Sequence, residues 1–303
     1  MNQTYQAFGL SIRSTIDLPE LFSKELDSTE NPDVEILFGE TPENLKNPQK
    51  KGIAYQANPN EYLLDLEGIA CYWVTNGNKI TIQRKEGAMD DDIRVFLLGS
   101  ALGALLHQRE TFILHASAVI VDGEAVLFTG ISGVGKSTTS TAFRLAGNPI
   151  LTDDVCAILL NGKSKPIALP GYPQSKLWED ALEGLKMDYE DLKHIREKIN
   201  KRAVPLKGNF HNEPMPIKAI YWLNTHNKED ILLEEVKGAK KFNTLKQMTY
   251  RPFLVDGLGV KPAHFKQGMQ LAMQVPLKKI TRPTTHFSVN ELVDLVKEDL
   301  SKL

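Results

Sequence analysis

The sequence contains little cysteine, no long apolar run and almost no net charge. Its 303 residues include only Cys71 and Cys156, which lie far apart and each within an apolar run. This pattern argues against a disulfide or a redox pair, so we expect two buried thiols. No uninterrupted apolar stretch is long enough to span a bilayer, and the first residues lack the pattern of a signal peptide. We therefore expect a cytoplasmic protein with no membrane partner.

The charge balance also excludes a strongly basic nucleic-acid-binding protein. The chain carries 36 Lys and Arg against 38 Asp and Glu, which gives a formal net charge of -2. No global electrostatic signal therefore points to nucleic acid. Hydrophobic residues make up 42% and charged residues 24% of the sequence, as is typical of a globular protein with a substantial core. The length is sufficient for two domains.

A glycine-rich stretch from Gly130 to Thr138 matches the phosphate-binding pattern G-x-x-x-x-G-K-[ST] at every fixed position. A strand is predicted over 124–129 and a helix over 137–145, which is the context that this P-loop motif requires. Backbone N–H groups and the helix N-terminus would bind phosphate, Lys136 would reach the outer phosphates, and Ser137 would ligate Mg²⁺. A glycine-rich turn with a chance lysine is the alternative. The predicted cofactor-binding residues of the loop are Gly130, Ser132, Gly133, Val134, Gly135, Lys136, Ser137 and Thr138.

The residues before the motif are predicted to form a separate, mostly β domain. Short β-branched and aromatic runs are separated by turn residues, which predicts strands at 7–12, 34–38, 62–66, 69–74 and 80–82. Asp90–Gln108 has apolar residues at helical spacing and acidic residues in its first turn, so we predict a helix there. A boundary near residues 108–111 then gives an N-terminal domain of residues 1–108 and a second domain of residues 109–303.

The second domain is predicted to mix strands and helices. Asp122-Gly123 indicates a hairpin between two of its strands. The predicted strands are 112–121, 124–129, 148–152, 155–160, 166–169, 217–223 and 231–236, and the predicted helices are 137–145, 178–185, 189–198, 265–274 and 289–300.

Two acidic residues and a histidine are the further candidates for chemistry. Asp153 and Asp154 follow a strand that comes after the motif's helix, so we expect them beside the bound phosphates. Phosphoryl transfer needs a group that orients or deprotonates the attacking hydroxyl and a carboxylate that holds Mg²⁺. One Mg²⁺ ligand and one solvated turn residue is the alternative. His115 lies in an apolar run, where it is either a core residue or a partner of a catalytic aspartate.

The order of His115, the motif Gly130–Ser137 and Asp153-Asp154 resembles the catalytic domain of the HPr kinase/phosphorylase family. The resemblance covers roughly residues 111–224. It implies an α/β fold, the phosphoenolpyruvate carboxykinase-like variant of P-loop structure, with a smaller, mostly β N-terminal domain. It also implies that Asp153 is the general base and His115 its partner. Lys136 would clamp phosphate, and Ser137 and Asp154 would lie on the metal side.

The chain departs from that family after Asp154. A signature stretch bearing glutamate and arginine is not evident, and the N-terminal region differs from that of the bifunctional enzymes. The segment Leu169–Trp178, with its Pro-Gly-Tyr-Pro sequence, is instead similar to HPr-kinase-like enzymes that modify ribosomal precursor peptides such as lasso-peptide precursors. Those enzymes phosphorylate a serine near the C-terminus of the peptide.

Several other residues are candidates of lower rank. Arg202, which follows Lys201, would bind the nucleotide or neutralise the transferring phosphate, unless the two form a solvated surface pair. Arg251 is expected in a structural ion pair rather than at the nucleotide. Tyr172 and Trp178 belong either to a peptide groove or to the core. The histidines lack the spacing of a zinc site.

These patterns together predict an ATP- and Mg²⁺-dependent kinase whose acceptor is a serine or threonine hydroxyl of a peptide or small protein. Two alternatives remain open. One is a kinase of a small hydroxylated metabolite, and the other is an ATP-binding regulatory module that phosphorylates nothing. The sequence leaves a homo-oligomer open.

Overall fold

The chain divides into two structural units in a computed structural model that describes residues 3–25, 30–196, 199–206 and 208–303. The first unit comprises Met1–Ile113 and Tyr250–Gln267, and the second comprises Leu114–Thr249 and Gly268–Leu303. The boundary after Ile113 lies close to the predicted boundary near residues 108–111. Residues 250–267 return to the first unit, which a single boundary in the sequence does not anticipate.

The first unit is built on a nine-stranded sheet with the strand order β3-β1-β2-β4-β9-β8-β7-β6-β5. The strand β4 runs parallel to its neighbours β2 and β9, whereas the remaining pairs are antiparallel. The strands are β1 (Gln3–Ala7), β2 (Leu10–Ser14), β3 (Phe22–Ser23), β4 (Val34–Phe38), β5 (Lys50–Lys51), β6 (Tyr55–Asn58), β7 (Glu61–Leu66), β8 (Ala70–Thr75) and β9 (Lys79–Arg84).

One predicted strand of this unit is wrong. The strand predicted over residues 7–12 is interrupted by a turn at Phe8 and Gly9, whose φ angles are 53° and 74°. Because both residues adopt the left-handed region, the chain reverses and β1 pairs with β2 as a hairpin.

The helix predicted over residues 90–108 is present but contains a π-helical turn. It consists of α1 (Asp90–Phe96), the π turn Leu97–Ala101 and α2 (Leu102–Gln108). Gly103 lies against the ring of Tyr250, to which an added Cβ would approach within 2.7 Å. A short helix, α6 (Phe253–Gly257), follows in the returning segment.

The second unit is organised around a mixed sheet. In it β19 (Met215–His226) lies between β12 (Glu124–Thr129) and β21 (Leu277–Pro283) and is parallel to both. On the other side of β12, β11 (Ala116–Val121) is antiparallel and pairs in turn with β13 (Ile150–Thr152). The remaining strands associated with this sheet are β10 (Phe112–Leu114), which spans the unit boundary, β14 (Cys156–Leu159), β15 (Ile167–Ala168) and β20 (Leu232–Glu235).

Helices cover one face of this sheet and enclose its core. Phe128 and Tyr221 of the sheet pack against Phe143 of α3 (Lys136–Leu145) and Leu292 of α8 (Val289–Leu300). The apolar residues whose spacing predicts α8 are therefore the residues with which this helix packs into the core. The other helices are α4 (Glu179–Gly184), α5 (Gly238–Gln247) and α7 (Lys261–Gln274), the last of which crosses the unit boundary after Gln267.

A small antiparallel sheet completes the second unit. It has the order β16-β18-β17, with β16 (Gln174–Trp178), β17 (His194–Arg196) and β18 (Ile199–Pro205). The helix predicted over residues 189–198 is wrong, because β17 lies within that range; residues 197–198 lie outside the described part. The strand is fixed by pairing with β18, in which His194 faces Arg202, and no local pattern shows that pairing.

Three further observations concern a predicted strand, the cysteines and the absence of a long apolar run. The strand predicted over residues 112–121 is broken at His115 between β10 and β11. Cys71 and Cys156 are both buried free thiols, as predicted. No helix within the described ranges is both long and apolar enough to cross a membrane.

Candidate active site

The loops that carry the candidate residues meet at one edge of the mixed sheet. Because β12, β19 and β21 are parallel, their carboxyl ends lie at the same edge. The strand β13 is antiparallel to β11, as is β12, so Asp153 also emerges there. His115 directly precedes β11, whose first residue pairs with Thr129 at the end of β12. The topology thus brings together residues that are distant in sequence.

The glycine-rich loop between β12 and α3 is tightly curled. Gly130 has φ 151°, and a Cβ there would lie 2.7 Å from the carbonyl oxygen of Leu223. Gly135 has φ 102° and immediately precedes α3. Both positions therefore require glycine. The loop leads into a helix N-terminus, an arrangement that favours a bound anion.

Lys136 is buried at the start of α3 and folds back over the loop. Its Nζ donates hydrogen bonds to the carbonyl oxygens of Gly130 at 3.0 Å and Ile131 at 3.1 Å. Burial lowers the pKa of Lys136, and the charges of Asp154 and Asp153 oppose this shift. The ammonium group is thus a cation held inside the loop.

Asp153 is buried, with 5% of its surface exposed, and accepts three hydrogen bonds. Its Oδ1 accepts from Ser137 Oγ at 2.9 Å and from Ser117 Oγ at 2.5 Å, and its Oδ2 accepts from the N–H of Lys176 at 3.0 Å. These donors fix the carboxylate beside the hydroxyl of Ser137 and join β16 to the end of β13.

Asp154 is paired with His115. Its Oδ1 lies 3.0 Å from Nε2 of His115, and both side chains are about 30% exposed, at 31% and 28% respectively. Burial pushes the pKa of Asp154 upwards, but the hydrogen bond with His115 and the charges of Lys176, His115 and Lys201 outweigh it and hold the pKa well below its usual range. Asp154 is therefore a carboxylate at neutral pH.

The pairing of the two acids with their neighbours is the reverse of the expected one. The family resemblance predicts His115 as the partner of Asp153 and groups Ser137 with Asp154, whereas the structure pairs His115 with Asp154 and Ser137 with Asp153. Consecutive residues leaving a strand project to opposite sides. Asp154 in addition has φ 71°, in the left-handed region, which turns its side chain away from that of Asp153.

A cavity of about 420 Å³ lies in front of these residues, within the second unit. Most of the predicted site residues line it, namely His115, Ser132, Gly133, Gly135, Lys136, Ser137, Thr138 and Asp154. Gly130, Val134 and Asp153 lie behind this surface: Val134 is buried, and its carbonyl oxygen accepts a hydrogen bond from Arg282 at 3.1 Å.

Arg202 is not brought to the cavity. Its Nε donates to Oε1 of Glu179 at 2.7 Å, and its Nη1 donates to the carbonyl oxygen of Leu192 at 2.7 Å. Because neighbouring residues of a strand face opposite sides, Lys201 lines the cavity instead, with its Nζ 5.7 Å from the ring centre of Trp178.

Of the other lower-ranked candidates, Trp178 lines the cavity, whereas Arg251 and Tyr172 do not. Arg251 belongs to the first unit, where its Nη2 donates to Ser100 Oγ at 2.6 Å. Tyr172 is buried, whereas Trp178 is 44% exposed and lines the cavity with Lys176.

Sequence reasoning missed a second wall of the cavity. Arg282 at the end of β21 and the following residues Thr284, His286, Phe287 and Ser288 all line it. Arg282 lies about 150 residues after the glycine-rich loop, and only the order β12-β19-β21 brings the two together. A polar segment directly after a buried strand is the signal that the sequence offers.

The donor set suits a hard cation that is only partly coordinated by protein. Within the described ranges, no group of three or more His, Cys, Asp or Glu side chains is placed to hold a metal ion. The adjacent oxygens of Ser137 and Asp153 are of the type that Mg²⁺ prefers, and Mg²⁺ commonly completes its shell with water and phosphate oxygens. These two residues therefore fit Mg²⁺ bound together with a nucleotide.

Comparisons with known proteins complete the description of the site. No protein-family model matches the chain. No curated protein matches it either. Among solved structures, the Hpr(Ser) kinase/phosphatase from Coxiella burnetii matches with 13% sequence identity and a TM-score of 0.34, over 63% of this chain and 91% of that chain.

Proposed function

We propose that the protein is an ATP- and Mg²⁺-dependent kinase that transfers the γ-phosphate of ATP to a serine or threonine hydroxyl. The observation that carries this proposal is the convergence on one cavity of the glycine-rich loop, the Ser137–Asp153 pair and the His115–Asp154 pair. The first two elements suit a triphosphate with its cation. The third supplies a carboxylate, Asp154, that faces the cavity and is not needed to hold the triphosphate or its cation.

In this proposal the phosphates are bound by the loop N–H groups, the N-terminus of α3 and Lys136. Lys136 is already desolvated, so its charge is little screened by water. Ser137 and Asp153 would hold Mg²⁺, which when bound neutralises charge on the phosphate oxygens. The three hydrogen bonds to Asp153 keep this carboxylate in place during the reaction.

Asp154 is proposed as the group that receives the acceptor's proton. The hydroxyl oxygen forms a bond to the γ-phosphorus, the bond from that phosphorus to the bridging oxygen of ADP breaks, and the hydroxyl proton passes to Asp154. His115 holds Oδ1 of Asp154 and leaves Oδ2 for the hydroxyl. A carboxylate of low pKa is adequate here because phosphoryl transfer depends mainly on positioning and charge stabilisation.

The acceptor that we propose is a peptide or small protein, with a lasso-type precursor peptide as the first candidate. The cavity is bordered near Asp154 by Lys176, Trp178 and Lys201, and the partly exposed indole of Trp178 provides a surface for a side chain next to the reacting hydroxyl. A small hydroxylated metabolite remains the alternative acceptor.

Mass spectrometry of peptides incubated with the protein, Mg²⁺ and ATP tests this function. We expect one added phosphate on a serine-containing precursor-type peptide with the wild type, and none with Asp154→Asn. Lys136→Ala should weaken ATP binding itself, measured by calorimetry. Arg202→Met, whose side chain is outside the cavity, serves as the matched cation control and should retain both properties.

Three other outcomes would redirect or end the proposal. ATP binding without transfer to any peptide would move the search to metabolites. ATP hydrolysis without transfer to either class would favour a regulatory module. If ATP does not bind to the folded wild type, the kinase proposal is wrong.

A further inference from the structure

One end of the cavity carries apolar surface that the phosphate chemistry does not explain. Arg282, Phe287, Ser288 and Leu292 line this end, together with Ala181 of α4. These residues provide apolar surface, one guanidinium group and one hydroxyl. None of the predicted catalytic residues lies among them.

Ser288 is a buried hydroxyl for which the described part of the chain provides no partner. Only 2% of its surface is exposed, and its Oγ makes no hydrogen bond within that part. The residue occupies the N-cap position of α8, where a serine usually caps the helix, yet its side chain makes no capping bond. A buried hydroxyl without a partner is costly. The residue lines the cavity, where a bound ligand would be placed to supply the missing partner.

Phe287 provides an aromatic wall that remains accessible. It is 46% exposed, and its ring lies against Gly184, where an added Cβ would approach the ring within 2.6 Å. The absence of a side chain at residue 184 thus makes room for the ring beside the cavity.

Arg282 provides a rigid planar cation next to the glycine-rich loop. Its Nη2 donates to the carbonyl oxygen of Val134 at 3.1 Å, and its Nη1 donates to that of Pro283 at 3.3 Å. An added Cβ at Gly135 would lie 3.1 Å from this guanidinium group. Planar guanidinium and phenyl groups are both suitable surfaces for stacking a heterocyclic base.

We propose that this end of the cavity binds the heterocyclic base of ATP, with Phe287 and Arg282 as stacking surfaces and the Ser288 hydroxyl as a hydrogen-bonding partner. The inference rests on the proposed function, because it assumes that the triphosphate occupies the glycine-rich loop. It adds the residues that distinguish a nucleotide from a bare polyphosphate.

Binding of ATP and of inorganic tripolyphosphate, each with Mg²⁺, separates the base from the phosphates. By calorimetry we expect Phe287→Ala to weaken ATP binding about tenfold to hundredfold, since base stacking on an aromatic contributes roughly 1–3 kcal/mol. Ser288→Ala, which removes one hydrogen bond, should weaken ATP binding about tenfold. Tripolyphosphate affinity should not change in either variant. Gly184→Ala, which pushes the Phe287 ring from its place, should act in the same direction as Phe287→Ala.

The controls distinguish the two levels of the proposal. Phe265→Ala removes another exposed phenylalanine, outside the cavity, and should bind both ligands like the wild type. Equal weakening of ATP and tripolyphosphate in the Phe287 and Ser288 variants, or unchanged ATP affinity, would overturn the base site. If the wild type binds neither ligand, the proposed function itself fails. Thermal melting of each variant confirms that it is folded.

Discussion

Nε2 of His115 lies 3.0 Å from Oδ1 of Asp154, while the neighbouring Asp153 accepts its hydrogen bonds from Ser117, Ser137 and the backbone of residue 176. Two adjacent carboxylates are thereby given different surroundings. Asp153 is buried and accepts three hydrogen bonds, whereas Asp154 faces the cavity with a histidine on one oxygen. Different surroundings are what allow two chemically identical groups to take different roles.

The two aspartates should therefore respond differently to the same substitution. We expect Asp154→Asn to retain Mg²⁺-dependent ATP binding and to lower phosphate transfer about 10²- to 10⁴-fold, the usual contribution of a positioned general base. Asp153→Asn should weaken the dependence of ATP binding on Mg²⁺. Calorimetry with and without Mg²⁺, and a transfer assay, measure the two effects. The opposite assignment would be shown by Asp153→Asn retaining Mg²⁺-dependent binding while losing transfer.

Removal of His115 should shift the acid limit of activity. Burial favours a higher pKa for Asp154, and the hydrogen bond with His115 is the first of the effects that lower it. Without that bond in His115→Ala, the pKa of Asp154 should rise, so the carboxylate should become protonated at higher pH. We expect the acidic limb of kcat/KM to move to higher pH in this variant.

His115→Gln, which retains a neutral hydrogen-bond donor, should show a smaller shift of that limb. NMR titration of the Asp154 carboxyl carbon provides a readout that does not depend on the acceptor. An Asp154 pKa that is the same in wild type and His115→Ala would contradict the role assigned to His115.

Substitution of Arg202 should affect stability rather than nucleotide affinity. Its side chain is 14% exposed, and its guanidinium group is bonded to Glu179 and to the backbone of Leu192. Arg202→Met leaves these acceptors unpaired, so we expect a loss of about 1–3 kcal/mol in the free energy of unfolding. Urea denaturation measures this loss, and Arg202→Met with Glu179→Gln should recover part of it. A selective loss of ATP affinity in the folded variant would restore Arg202 to the site.

The buried His107 should make the first unit sensitive to mild acid. Burial lowers the pKa of His107 to about 4, and the nearby His264 acts in the same direction. An unfolded histidine has a pKa of about 6.5, so between pH 6.5 and pH 4 the unfolded state binds more protons than the folded state. The free energy of unfolding should therefore fall as the pH falls through this window, by up to about 3 kcal/mol from this residue.

Denaturation at pH 7 and pH 4.5 tests this dependence. His107→Gln retains a hydrogen-bond donor for the carbonyl oxygen of Tyr250, which lies 2.8 Å from Nε2 of His107, but does not titrate. Its stability should fall less between the two pH values than that of the wild type. His226→Gln, on a more exposed histidine, should behave like the wild type.

The sequence correctly predicts the strands and helices whose own residues form a clear apolar run or stripe. The strands at Val34–Phe38 and Glu124–Thr129 and the helix Val289–Leu300 have the predicted bounds, because each carries an uninterrupted apolar run or a regular apolar stripe. The strand His194–Arg196 was not predicted because it exists through its pairing with a partner strand. Its own sequence is charged and has no alternation.

Some features of the site were also predictable from the sequence, whereas others depend on the fold. The glycine-rich loop and the two aspartates are recognisable because their spacing is short and their residue types are restricted. Their hydrogen-bond partners depend on the φ angle of Asp154, which the sequence does not reveal. Arg282 and Ser288 reach the cavity through the order of the strands. The polar segment after a buried strand is a pattern too common to specify such a role by itself.

The segment Tyr250–Gln267 limits how this protein can be dissected. Because it belongs to the first unit, the chain passes between the units three times, after residues 113, 249 and 267. A truncated chain that starts near residue 109 would retain Tyr250 and α6 but remove the strands and helices that they pack against. Its exposed apolar surface would promote aggregation. Independent expression of either half requires a permuted or internally spliced chain, in which residues 250–267 stay with the strands of the first unit.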